Sequence, residues 1–142
     1  MKDLRDWIRL LEREGELVRV SAEVDPDLEI TEIVDRTVKA GGPALLFEKP
    51  KGSERRLLIN QFGTERRMCL AFGVERLDDV ARKVSDVLEL QPPAGLMDKV
   101  RGLQKLKSIA DSRPQTVRRG ACQEVVLRGD EVDLRLLPIQ RC

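Results

Sequence analysis

The run Pro43-Ala44-Leu45-Leu46-Phe47-Glu48 constrains this chain most. It is compact and apolar, with the glycine pair Gly41-Gly42 on one side and the polar turn KPKGSERR, containing Pro50 and Gly52, on the other. Its length is that of a buried strand. LLIN (57–60) follows as the next strand, so residues 43–60 read as a hairpin or two neighbouring strands.

Helical spacing surrounds this β unit. Asp3 can cap a helix over LRDWIRLLERE, where Leu4, Trp7, Ile8 and Leu11 fall at i, i+3, i+4 and i+7. Gly15 stands where a left-handed C-cap belongs, and ELVRV (16–20) follows as a short strand. Asp25-Pro26 then breaks the chain. Asp27 is a candidate N-cap for a second helix with Leu28, Ile30, Ile33, Val34 and Val38 as its apolar positions, ended by Gly41-Gly42. Thr64 can cap a short helix over ERRMCLAFG. A longer helix over 76–90 places Leu77, Val80, Ala81, Val84, Val87 and Leu88 on one face before Pro92-Pro93 stops it.

From 94 to 119 the pattern weakens into a partly helical connector, with Leu96, Val100, Leu103 and Leu106 at helical spacing. Strands are expected from Cys122, with a turn at Arg128-Gly129-Asp130 and apolar positions Val125, Leu127, Val132, Leu134 and Leu137. The order α-β-α-β-β-α-α-(α)-β-β predicts a mixed α/β (α+β) module over 1–110 and a separate segment over 111–142. Such an unaccompanied β segment is expected to be disordered, re-paired on the module, or swapped between chains.

Composition narrows the chemistry. With one Trp, three Phe and no Tyr in 142 residues, the core must be aliphatic. His is absent, which removes imidazole as a general base and as a metal ligand. Cys69, Cys122 and Cys142 lie too far apart for a metal knuckle, and an odd count cannot close a full disulfide framework, so a reducing cytoplasm is expected. No stretch approaches the roughly 18 apolar residues of a membrane span. The N-terminus lacks the apolar run of a signal peptide. Residues 1–48 hold 7 basic and 12 acidic side chains, and residues 49–142 hold 19 and 13, so the net +1 hides a dipolar distribution.

Each candidate site has a plainer explanation. Asp78-Asp79 and the trio Glu12, Glu14 and Glu16 are acids at helix ends, where the helix dipole or solvent accounts for them. GTERRMC (63–69) puts two arginines at a helix start that could hold a phosphate, but no glycine-rich loop or Walker lysine accompanies it, so capping is preferred. The strip Lys99, Arg101, Lys105, Lys107, Arg113, Arg118 and Arg119, against Asp98 and Asp111, could track a nucleic-acid backbone. It lacks stacking aromatics and any recognised reading motif, so a nucleic-acid partner is disfavoured. No His can activate a cysteine, Cys69 reads as core, and no Asp-x-Asp-x-Asp-Gly loop exists for a cation. The residues alone assemble no catalytic, cofactor-binding or metal site.

Five stretches carry a family resemblance, in order along essentially the whole chain. They are DLRDWIRLLEREGELVRV (3–20), VDPDLEITEIVDRTVKAGGPALLFEKPKG (24–52), LLINQFGTERRMCLAFG (57–73), Pro-Pro-x-Gly-Leu (92–96) and CQEVVLRGDEVDLRLLPIQRC (122–142). The set resembles the N-terminal portion of the UbiD family of decarboxylases. The resemblance implies an enzyme of three parts: an N-terminal α/β domain, a split β-barrel domain binding prenylated FMN, and a C-terminal domain supporting homo-oligomers. It implies reversible decarboxylation of aromatic or α,β-unsaturated carboxylic acids, including a polyprenyl hydroxybenzoate in ubiquinone synthesis. The modified flavin is the electron sink, Mn²⁺ and K⁺ hold its phosphate, and a Glu-Arg-Glu set moves protons. All of those residues, and the family's metal-binding histidine, belong to parts that follow these motifs, so none is carried onto a position here. On this resemblance the 142-residue chain lacks the active site and is inactive alone, with residues 111–142 leading into the flavin domain. The rival is a free-standing docking module for a full-length homologue.

Overall fold

The computed structural model describes residues 3–88, 114 and 116–141. They fall into two compact units. The first comprises residues 3–77 with 132–141, and the second lies within 78–131. Most of the expected connector over 94–119, with the expected boundary at 110, lies outside the described residues.

In the first unit, helix α1 (Leu4–Arg13) begins at Asp3, whose carboxylate accepts from the Asp6 N–H. Gly15 at φ +71° turns the chain into strand β1 (Leu17–Val24). Helix α2 (Glu29–Lys39) crosses to strand β2 (Ala44–Pro50), which lies parallel to β1. A polar turn then leads to strand β3 (Leu57–Ile59), antiparallel to β2. The sheet order is β1-β2-β3, so the PALLFE run becomes the central strand and forms a hairpin with β3. The β1–β2 register slips between Val20 and Glu23.

Strand alternation sorts the core onto the two faces of the sheet. Leu45, Phe47, Val24 and Ile30 are buried together, with Ile33, Val34, Leu57 and Ile59 packed against them, which covers one face with α2. On the other face Ala44 meets Trp7 and Leu11 of α1 and Leu70 and Ala71 of helix α3 (Glu65–Phe72). Trp7 also stacks on Phe62, with ring centroids 5.7 Å apart. The result is a mixed α/β module built mainly on aliphatic contacts.

One cap differs from expectation. Asp27 does not cap α2; the cap position is Leu28, at φ +69° and with no side-chain cap bond. Acids around it supply the order instead. Glu29 accepts from the Asp25 N–H at 2.8 Å, and Asp25 accepts from the Asp27 N–H at 2.9 Å. The local turn expected of Asp27 is thus made by Asp25.

The terminal segment departs further. The alternation from Cys122 predicts strands, but the described residues form three short 3₁₀ turns. Ala121–Gln123 and Gly129–Glu131 lie in the second unit, and Leu134–Leu136 lies in the first. Polar side chains occupy backbone donors that a ladder would use: Gln123 accepts from Gly120, Glu131 from Arg128 and Asp133 from Arg135. Alternating apolar residues do not make a strand without a neighbour to bond, and Val125 and Leu127 remain exposed. Residues 132–141 settle on the module, the re-paired alternative, through polar contacts that include one isolated parallel bridge between Asp27 and Arg141. The second unit also holds most of helix α4 (Leu77–Leu88), whose Val84 and Leu88 are exposed.

Candidate functional site

The arginine pair singled out in the sequence sits in a polar cluster of the first unit. Thr64 caps α3 by accepting from the Arg67 N–H at 3.3 Å. Helical geometry then sends the two arginines different ways. Arg66 stays 60% exposed, with Nε 3.1 Å from Glu16 Oε1. Arg67 turns inward beside Leu70 and Ala71 and is only 1% exposed. One of its terminal nitrogens donates to Glu16 Oε2 at 2.9 Å and the other to the Gly42 carbonyl at 3.1 Å. Its Nε, like the Trp7 indole nitrogen, is buried without a partner.

Asn60 completes the cluster from the end of β3. It holds φ +58°, a backbone region Asn tolerates better than most residues, and its amide donates to the Gly42 and Pro43 carbonyls at 3.2 and 2.9 Å. Gly63 gives it room, because a Cβ there would lie 1.8 Å from Asn60 Oδ1. The cluster ties together the start of β1, the entry to β2, the exit of β3 and the first turn of α3. Buried polar groups joined in one network fix relative positions. The network is poorly suited to phosphate: an anion would have to displace Glu16 from Arg67. The cap expected at Thr64 is formed.

The remaining candidates scatter. Glu12 pairs with Arg19 at 2.5 Å, and that hydrogen bond holds the Glu12 carboxyl below its usual range. Glu48 takes the other side of Arg19 at 2.7 Å, and Glu14 accepts from Arg66 through its carbonyl. The acids of 12–16 therefore each face an arginine, not one another across a cleft. Asp79 pairs with Arg82 on α4. Cys69 is buried and free, and Cys122 is exposed and free. Arg118 and Arg119 are exposed, while Lys99, Arg101, Lys105, Lys107 and Arg113 lie outside the described residues, as does Cys142.

A cleft of about 750 Å³ opens at the β2–β3 turn, lined by Glu23, Glu48, Lys49, Ser53, Glu54 and Arg55. Its charges are mixed, with no cradle of one sign. Among the described residues, no group of three or more His, Cys, Asp or Glu could hold a metal ion. No described helix is long and apolar enough to cross a membrane.

Residues 8–87 match the family model described as the 3-octaprenyl-4-hydroxybenzoate carboxy-lyase N-terminal domain. The chain belongs to the UbiD family. Solved structures of UbiD-class enzymes share its fold. A vanillic acid decarboxylase of Sedimentibacter hydroxybenzoicus, in open form, is 30% identical with a TM-score of 0.56, over 66% of this chain and 21% of that one. An evolved dimeric form of HmfF from Pelotomaculum thermopropionicum, in complex with prFMN, is 30% identical with a TM-score of 0.55 over the same shares. A 3,4-dihydroxybenzoic acid decarboxylase from Enterobacter cloacae is 25% identical with a TM-score of 0.53, again over 66% of this chain and 21% of that one. This UbiD-family chain spans about one fifth of the length of the solved structures it matches.

The UbiD flavin finds no fitting site among the described residues. The prFMN seen with HmfF carries a phosphate, and the cleft at the β2–β3 turn, lined by acids as well as bases, offers it no cradle of one sign. What the sequence did not single out is Asn60, and which of the two arginines turns inward. Arg67 was detectable in principle, since it shares the i, i+3, i+4 face of α3 with Leu70 and Ala71.

Proposed function

We propose that this chain is the N-terminal domain of a prenylated-FMN-dependent carboxy-lyase acting on aromatic or α,β-unsaturated carboxylic acids. Residues 1–110 form the domain, and 111–142 lead into the flavin-binding split barrel. Flavin, Mn²⁺ and K⁺ belong to that barrel in a cytoplasmic homo-oligomer, and the 142-residue chain is inactive alone. The family match over residues 8–87 carries this reading. The relatives are decarboxylases, and HmfF is seen with prFMN. The Glu16–Arg67–Asn60 network suits a rigid supporting module, because its charged groups are spent on holding elements together.

The test compares two samples. The native polypeptide, captured with an antibody against residues 1–110, is reconstituted with prenylated FMN and assayed for CO₂ release from a panel of aromatic and α,β-unsaturated acids. The purified 142-residue chain is assayed alongside. Activity in a native polypeptide much larger than 16.1 kDa, and none in the short chain, is expected. A native band at 16.1 kDa would replace this reading with the docking module, and turnover by the short chain would overturn its inactivity.

A further inference from the structure

We propose that the corner from Pro26 to Thr31 is a receptor for the chain's own segment 134–141, which it recognises through one residue, Arg141. Four contacts converge there. The Arg141 N–H donates to the Pro26 carbonyl at 3.0 Å, and the Leu28 N–H donates to the Arg141 carbonyl at 3.3 Å. The Thr31 hydroxyl donates to that same carbonyl at 2.8 Å. The Arg141 Nε lies 3.1 Å from Asp27 Oδ1. Farther back, Ser53 Oγ donates to the Leu136 carbonyl at 2.8 Å.

Apolar burial does not hold this segment. Leu134 is 66% exposed, Leu136 52% and Ile139 68%. The attachment is therefore made by backbone and polar groups, and it depends on their geometry. The corner is ordered in advance by contacts that do not involve the segment. Glu29 fixes the Asp25 amide, Asp25 fixes the Asp27 amide, and Lys51 bonds Asp25 at 2.8 Å. Leu28 occupies a left-handed conformation costly for an L residue, and that conformation accompanies an N–H directed at the Arg141 carbonyl. A carbonyl at this position also meets the donor-rich end of α2.

The receptor fixes where the chain leaves the module. That it thereby sets the entry to a flavin domain rests on the proposed function; the receptor itself does not. The test uses the 142-residue chain, so its failure is separable from failure of the decarboxylase reading. Amide hydrogen exchange by NMR should show Arg141 protected in the wild type. Thr31→Val should speed its exchange about five-fold, the equivalent of one ordinary hydrogen bond. Asp27→Asn should speed it by about two- to five-fold, as for an exposed ion pair. Leu46, in the central strand, should keep its rate in both and reports that the fold is intact. Arg141 exchanging at the unprotected rate in the wild type would overturn the proposal. So would an unchanged Arg141 rate in both variants while Leu46 stays protected.

Discussion

Replacing Glu16 by Gln should cost the module more than removing the arginine it faces. Arg67 is 1% exposed and Glu16 18%, so this pair is shielded from water more than the other ion pairs among the described residues. Glu16→Gln keeps an oxygen able to accept from Arg67, but leaves a buried guanidinium without a counter-charge. Breaking a fully buried pair costs about 3–5 kcal/mol; partial exposure and the surviving hydrogen bond reduce this to about 2 kcal/mol. Arg67→Met has gentler consequences. Glu16 keeps Arg66 at 3.1 Å, and the Gly42 carbonyl keeps the Asn60 amide at 3.2 Å. The substitution also removes the unpartnered buried Nε. Its net cost should be about 1 kcal/mol. Urea denaturation followed by fluorescence of Trp7, the single tryptophan and 3% exposed, reads both variants. With a slope of about 2 kcal/mol per molar, Glu16→Gln should lower the midpoint by about 1 M and Arg67→Met by about half that. An Arg67→Met loss equal to or larger than that of Glu16→Gln would refute the reasoning, because a buried charge left without its partner would then not be what costs the module most.

Three further outcomes are expected. Phe47→Ala, at a fully buried position of the central strand, should destabilise by about 3–5 kcal/mol in the same urea titration. Gly63→Ala should push the Asn60 amide off the Gly42 and Pro43 carbonyls and cost about 1–3 kcal/mol, read as a lowered thermal midpoint. Lys51, and then the Asp27 amide, hold the Asp25 carboxyl below its usual value of 3.8. A depressed carboxyl contributes its stabilisation in full above pH 3.8 and loses it as pH falls through the lowered value. The Asp27 amide should therefore lose exchange protection in that acid window and show no such loss between about pH 5 and 7.

Where local pattern and tertiary packing agree, the sequence was readable. Trp7 and Leu11 marked α1 because helix period and core face coincide there, although Leu4 at the same spacing is exposed, and Thr64 marked α3 because its cap is local. PALLFE was identifiable as a strand, though its place at the sheet's centre depends on partners distant in the chain, such as Val20 for Phe47. Three features were hidden. Leu28 displaced Asp27 at the α2 cap because neighbouring acids organise the turn from outside it. Arg66 and Arg67 have the same chemistry, and only packing against the rest of the module separates exposed from buried. The run from 122 to 137 has strand-like alternation, but alternation describes a face and cannot supply a bonding neighbour. The candidate site was the least legible part, since Thr64 proved to be a cap and Glu12, Glu14 and Glu16 members of ion pairs.

The register slip between Val20 and Glu23 bears on how these molecules behave when concentrated. Within the described sheet, β1 and β3 are the outer strands, and an outer strand invites another chain to continue the ladder. β3 has three residues, too few to template an intermolecular sheet. β1 has eight, but its irregularity falls mid-strand and interrupts the repeat an incoming strand would copy. Arg19, clasped by Glu12 and Glu48, adds charge to the regular half. The same break that complicates β1's pairing with β2 thus makes its outer side a poor seed for aggregation.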